Sequence, residues 1–321
     1  MSQALRDARR YEEAHERNIA PEERPAFHLA SRVGWMNDPN GLSWYGGKYH
    51  LFYQYHPYDS HWGPMHWGHA VSDDLLRWEY LPAAIAPDMP YDHDGCFSGS
   101  AVTLPDGRHA LMYTSVSREV GEDGGLRTVQ TQSLAFGDGV DYEKYEHNPV
   151  ITGADLPEGA SRVDFRDPKL WQEPDGMYRA LIANNHPGVG GRMLMFESRD
   201  LFSWRLRSVL AENHYRLGRM WECPDFFKLD GKYVLLASAQ DMLPRGFEYH
   251  NGDGTFYMLG DYDESTGTFT EESNHAVDYG IDFYAPQTIL TRDGRRVMIG
   301  WMQTGTPAPT CACPRPPGSA R

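Results

Sequence analysis

Cysteine is scarce in this chain, with 4 among 321 residues. A disulfide scaffold is therefore excluded as the source of its stability. Cys96 and Cys223 read as small buried residues or free thiols. Cys311-Ala312-Cys313 lacks the second ligand pair that zinc requires. Long apolar runs are also missing. Nothing approaches the roughly 18 residues of a membrane span, and residues 1–24 carry charges where a secretory leader would be apolar. Positive charge is in short supply: 30 Lys and Arg face 45 Asp and Glu, a net charge of −15. That balance argues against nucleic acid or an anionic membrane as partner. A cytoplasmic protein is the simplest expectation. Helical periodicity fades after residues 1–25, which read as a charged helix or loose arm.

What remains is the composition of a β protein. There are 32 Gly, 22 Pro and 13% aromatic residues, with 40% hydrophobic residues to build a core. One unit recurs: an apolar run, a Gly turn, then another apolar run. The turn glycines are Gly47, Gly107, Gly176, Gly231 and Gly294, spaced by roughly sixty residues. Asp-Gly and Gly-Gly pairs are hairpin signals. The runs after them, such as Tyr49–Gln54, Ala110–Thr114 and Tyr233–Ala237, read as strands. Ser72-Asp73-Asp74-Leu75-Leu76-Arg77-Trp78 echoes Ser198-Arg199-Asp200-Leu201-Phe202-Ser203-Trp204. Five copies point to an all-β fold, a five-bladed β-propeller over residues 26–304. An open meander or a sandwich would use the same runs.

Each repeat opens on a distinctive segment. These are Asn37-Asp38-Pro39, Phe97-Ser98-Gly99, Phe165-Arg166-Asp167-Pro168, Trp221-Glu222-Cys223-Pro224 and Tyr284-Ala285-Pro286-Gln287. Pro39-Asn40-Gly41 reads as a tight turn with glycine at positive φ, which would place Asp38 where a strand starts. Equivalent strand starts in a propeller converge at one mouth of the channel. Asp38, Asp167 and Glu222, taken as matched repeat positions, would meet there with Arg166 and aromatic rings. Carboxyl pairs of this kind perform glycoside hydrolysis, and their spacing separates retention from inversion. As ordinary turn and ion-pair residues they would carry no chemistry. Trp44, Trp78, Trp171 and Trp204 read as packing between strands. His61, His66 and His69 read as structural or hydroxyl-binding histidines rather than a metal site. Asp94 could reach a ligand from its acidic loop.

These residues resemble the β-fructofuranosidases of glycoside hydrolase family 32, which include invertases, sucrose-phosphate hydrolases, levanases and inulinases. The matching motifs are Trp35-Met36-Asn37-Asp38-Pro39-Asn40-Gly41, Phe52-Tyr53-Gln54-Tyr55-His56-Pro57, His66-Trp67-Gly68-His69, Phe97-Ser98-Gly99-Ser100, Phe165-Arg166-Asp167-Pro168-Lys169, Glu222-Cys223-Pro224-Asp225 and Tyr284-Ala285-Pro286-Gln287. The resemblance implies a retaining hydrolase for sucrose, its phosphate or a short fructan. It implies Asp38 as nucleophile, Glu222 as acid then base, and Asp167 as the group holding fructose hydroxyls. Trp35, Asn37, Gln54, Trp62, Phe97, Ser98, Arg166 and Trp301 would shape the sugar pocket. No metal or organic cofactor is implied, and the partner is a small saccharide. A fructosyltransferase, a sugar-binding propeller and an inactive fragment are the rival readings. Family members continue into a β-sandwich. Here the last blade reads as incomplete, and residues 305–321 read as a disordered, atypical tail of a truncated or frame-shifted product.

Overall fold

Gly47, Gly107, Gly176, Gly231 and Gly294 all adopt φ between 85° and 90°. That left-handed backbone is one glycine takes without strain, and each of the five closes a hairpin where the sequence places one. The computed structural model describes residues 1–121 and 124–302. Its strands form four antiparallel four-stranded meanders and one two-stranded sheet. The first sheet holds β1 (Trp35–Tyr45), β2 (Lys48–His56), β3 (His66–Ser72) and β4 (Glu79–Ile85). The second holds β5 (Gly95–Thr103), β6 (His109–Val120), β7 (Leu126–Gly137) and β8 (Tyr142–Lys144). The third holds β9 (Phe165–Gln172), β10 (Tyr178–His186), β11 (Gly190–Ser198) and β12 (Arg205–Glu212). The fourth holds β13 (Trp221–Leu229), β14 (Lys232–Met242), β15 (Gly252–Asp263) and β16 (Thr268–Ala276). The pair is β17 (Phe283–Leu290) and β18 (Arg296–Met302). β1, β5, β9 and β13 touch in that order, and β17 touches both β13 and β1. The result is a propeller-like all-β fold in which the first strand of each sheet is innermost.

The apolar core lies between sheets. Trp67, Phe52, Leu111 and Tyr113 fill the seam between the first and second sheets. Leu134, Phe165, Ile182 and Phe196 fill the next, and Leu181, Met195, Trp221 and Phe256 the one after. The inner strands are cross-linked by polar groups. Ser100 Oγ donates to Pro168 O (2.7 Å) and accepts from Leu170 N (2.7 Å), joining β5 to β9. Lys169 Nζ donates to Asp225 Oδ2 (3.0 Å), which also accepts from Thr288 N (2.9 Å), joining β9, β13 and β17. Gln287 Nε2 reaches Gly99 O at 2.7 Å. These bonds leave few buried polar atoms unpaired near the axis and fix the sheets relative to one another.

The echo at Ser72 and Ser198 is one turn used twice. Ser72 Oγ accepts from Leu75 N (2.8 Å) and Asp74 Oδ1 from Arg77 N (2.7 Å). Ser198 Oγ accepts from Leu201 N (3.0 Å) and Asp200 Oδ1 from Ser203 N (2.8 Å). Trp204 is buried as expected and donates to Leu201 O (2.6 Å). Cys96 and Cys223 are free and buried.

One expectation changes, and one pair of alternatives is narrowed. Pro39-Asn40-Gly41 is no turn, because all three lie inside β1. Register shifts on both sides absorb them: the bulge tolerates a proline without N–H and a Gly41 at φ 55°. Of the two readings of the N-terminal segment, the charged helix is the one found. Helix α1 (Gln3–His15) is capped by Ser2 and buries Leu5, Ala8 and Glu12. Arg9 Nε donates to Ala83 O (2.9 Å), and Glu12 Oε2 accepts from Ala83 N (3.1 Å), so the helix is pinned to β4. Burial pushes the Glu12 carboxyl up to about 7. Among the described residues no helix is long and apolar enough to cross a membrane. The stretch 305–321, with Cys311 and Cys313, lies outside the described residues.

Candidate active site

The five innermost strands share a device. Each carries one residue more than its partner strand at the same place. The extra residue falls between Met36 and Pro39 in β1, Phe97 and Gly99 in β5, and Arg166 and Lys169 in β9. It falls between Glu222 and Asp225 in β13 and between Tyr284 and Gln287 in β17. A bulge re-aims side chains out of the regular alternation. Asp167, Cys223 and Ala285, each just before a proline, take φ of 64°, 48° and 51°. Backbone strained in this way is found at functional sites. The repeat is thus a bulge repeat, and its side chains converge on one cavity.

That cavity measures about 230 Å³. Trp35, Asn37, Asp38, Gln54, Trp62, Phe97, Ser98, Arg166, Asp167, Glu222 and Trp301 all line it. Gln240, Asp253 and Tyr284 line it too. Of these three, Tyr284 was within a repeat motif, whereas Gln240 and Asp253 sit at strand ends with no local signal. Asp94 does not reach the cavity and pairs with Arg118 at 3.0 Å. His61 pairs with exposed Asp59, His66 Nδ1 donates to Pro64 O (3.0 Å), and His69 joins a different buried group, so the three histidines have separate roles.

One expectation of alignment needs correction. Asp38 and Asp167 directly precede the bulge proline, but Glu222 stands two residues before its own. Glu222 therefore matches Asn37, Arg166 and Tyr284, and Cys223 occupies the slot of Asp38 and Asp167. The offset matters. Cys223 Sγ lies between the two aspartates, 3.4 Å from Asp38 Oδ2 and 3.6 Å from Asp167 Oδ2, and its N–H donates to Asp167 Oδ2 at 3.1 Å. Glu222 points elsewhere and is held at both oxygens. Arg166 Nε donates to Oε1 (2.9 Å), while Tyr284 Oη (2.6 Å) and Gln240 Nε2 (2.9 Å) donate to Oε2.

Asp38 is positioned from three sides. Ser98 Oγ donates to Oδ2 at 2.6 Å and Asn37 Nδ2 to Oδ1 at 3.3 Å. Asn37 is in turn fixed by Trp35 Nε1 at 2.8 Å. The Gly99 that follows Ser98 has no room for a side chain, since a Cβ there would lie 2.0 Å from Met112 O. Aromatic rings form the rim. Trp62, 57% exposed, meets Phe97 edge-on at 5.9 Å, and Trp35 meets Trp301 at 6.0 Å.

Crowding carboxylates in a dry site raises their pKa values. Burial pushes Asp38 up, reinforced by the Glu222 charge and opposed by the bonds from Ser98, Asn37 and Cys223. Burial and then Glu222 push Asp167 up as well, while Arg166 pulls it down. Arg166 stays above its ordinary value despite burial, because Glu222 and Asp167 favour its charge. The arrangement supplies one carboxylate in contact with hydroxyl and thiol donors, and a second clamped by a guanidinium, a phenol and an amide. Two unlike carboxyl environments facing one cavity suit separate nucleophilic and acid–base roles.

The family model "Glycosyl hydrolases family 32 N-terminal domain" matches residues 28–310. A sucrose-6-phosphate hydrolase of Escherichia coli is 43% identical over 282 residues, covering 87% of this chain and 57% of that protein. A raffinose invertase of Escherichia coli is 41% identical, covering 89% of this chain and 59% of its own length. The GH32 beta-fructofuranosidase of Bombyx mori superposes with a TM-score of 0.87 at 42% identity, covering 96% of this chain and 64% of that one. A mutant of that protein is known in complex with sucrose. The chain thus spans a little over half the length of the curated relatives it matches.

Proposed function

The chain belongs to the family 32 glycosyl hydrolases, and on that premise we propose that it is a retaining β-fructofuranosidase that releases terminal fructosyl units from sucrose or a related fructoside. The relatives named for sucrose-6-phosphate hydrolysis and raffinose cleavage support the substrate class. The observation that carries the reading is the pairing of Asp38 and Glu222 in one cavity with unlike partners. In this reading Asp38 attacks the anomeric carbon of the fructosyl unit. The glycosidic C–O bond breaks, and Glu222 gives its proton to the departing oxygen. A fructosyl ester on Asp38 results. Glu222, now ionised, takes a proton from water, which attacks the same carbon and returns Asp38 to its free form. Asp167 binds fructose hydroxyls and, with Asp38, faces the positive charge of an oxocarbenium-like transition state. Trp35, Phe97, Trp62 and Trp301 cover the apolar faces of the sugar, and Asn37, Gln54, Ser98 and Arg166 meet its hydroxyls.

In the same reading β17 and β18 are the opening strands of a fifth blade, because β17 lies between β13 and β1 with the bulge of the other inner strands. The test is fructose release from sucrose by the purified chain beside Asp38→Asn, with transfer products measured in parallel. Release by the wild type that the variant loses while still unfolding cooperatively is expected. Transfer products in place of free fructose would make the enzyme a fructosyltransferase. No release of either kind from a well-folded wild type would refute the reading.

A further inference from the structure

Carboxylates outnumber cations around this cavity. Asp38, Asp167, Glu222 and Asp253 line it, and among the described lining residues Arg166 alone is cationic. Arg166 is already committed. Its Nε donates to Glu222 and its Nη1 to Asp164 at 2.8 Å. A phosphate would have to compete for it with two carboxylates and with the fructosyl hydroxyls. Asp253 stands on the side of Glu222. It takes the N–H of Asp241 at Oδ1 (3.1 Å), and the preceding residue, Gln240, donates to Glu222 Oε2 (2.9 Å). An acid catalyst must face the leaving group, so Asp253 borders the leaving-group side. Farther out, Arg118 is paired with Asp94 (3.0 Å), Arg162 with Glu119 (3.2 Å) and Arg216 with Glu271 (2.7 Å).

Resting on the fructosidase reading, we infer that the site accepts an uncharged leaving group and that Asp253 is a specificity residue that disfavours a phosphorylated one. Sucrose itself is then the substrate, and sucrose 6-phosphate is a poor one. A phosphate dianion brought to the Glu222 side meets a like charge at a part-exposed side of the cavity, where charge–charge repulsion is felt and is weakened by salt. Among the described lining residues the one guanidinium, that of Arg166, is engaged by Glu222 and Asp164 and does not present its fork to a phosphate. Arg219, exposed and joined to the site through its N–H to Gln240 O (2.8 Å), is the position from which a phosphate could still find a partner.

The experiment compares kcat/KM of the full chain for sucrose and for sucrose 6-phosphate, at about 0.01 M and about 1 M ionic strength, where charges are screened over roughly 30 Å and 3 Å. Sucrose is expected to be favoured by about tenfold or more at low salt, with the gap narrowing at high salt. Asp253→Asn keeps the acceptor for Asp241 N and is expected to narrow the gap through KM for the phosphate ester. Equal or faster turnover of the phosphate overturns the inference, most clearly if Arg219→Ala abolishes that turnover. A ratio that ignores both salt and Asp253→Asn also overturns it. Failure to release fructose from either compound overturns the fructosidase reading itself.

Discussion

At the scale of single residues, Asp38 and Glu222 are separated by their partners rather than by residue type. Asp38→Asn and Glu222→Gln are each expected to lower kcat on sucrose by at least about 10³-fold. Structural damage is a poor explanation for such a loss, because the buried like charges cost stability. Burial and Glu222 raise the folded-state pKa of Asp38, so its ionisation opposes folding above the unfolded carboxylate value near about 4. Asp38→Asn is therefore expected to melt at the same temperature as the wild type or higher at pH 7, as differential scanning calorimetry will show. A large fall in Tm would mean the residue is structural. As the proposed nucleophile, Asp38 must be ionised to attack, so kcat/KM is expected to fall as pH drops through a value above that of an ordinary aspartate. A stopped-assay pH profile on sucrose with its acid limb at or below about 4 would contradict this.

At the scale of elements, the hairpins were legible and the bulges were not. Asp-Gly and Gly-Gly turns are set by local backbone preference, so Gly47, Gly107, Gly176, Gly231 and Gly294 could be read directly. A bulge depends on the register of a partner strand, which no local pattern records. Pro39-Asn40-Gly41 therefore looked like a turn. The offset of Glu222 from Asp38 could have been counted from the prolines, yet its consequence needed the bulge geometry that turns Cys223 toward both aspartates. Gln240 and Asp253 stayed hidden because a strand end says nothing of the cavity it borders. The bulge in β5 offers a test. Gly99→Ala would force a Cβ against Met112 O and Tyr113 Cα. It is expected to cost about 1–3 kcal/mol in urea unfolding and to lower activity by displacing Ser98 from Asp38. An unchanged midpoint would show that the bulge relaxes freely.

At the scale of the molecule, the sheets are joined by groups that the sequence scatters. His50 Nδ1 and His69 Nε2 lie 2.9 Å apart, and His109 in the second sheet bridges Ser43 Oγ (3.0 Å) and Tyr142 Oη (2.8 Å). His69 stands beside His61 and His66 in sequence, whereas in the fold it stacks on Phe52 (4.0 Å) and meets His50, both on the adjacent strand β2. Burial holds this group neutral: His50 is pushed down to about 4, His109 to about 3, and His69 well down. The unfolded chain takes up protons near 6.5 where the folded one does not, so the stability these residues contribute is full above that pH and is lost as pH falls toward about 4. Tm is expected to drop steeply between pH 6.5 and 4, and His109→Asn is expected to flatten that drop. A slope unchanged by His109→Asn would place the acid sensitivity elsewhere, with Glu12 excluded by its opposite direction of shift.

The proposed retaining mechanism requires a covalent bond between Asp38 and fructose. The most direct test is mass spectrometry of the Glu222→Gln chain after exposure to a β-fructosyl donor whose leaving group needs no acid. Without its base this variant cannot readily release the fructosyl unit. A mass increase of one fructosyl unit on the peptide carrying Asp38 is the expected result. Release of fructose with no adduct, or an adduct on another residue, would contradict the mechanism.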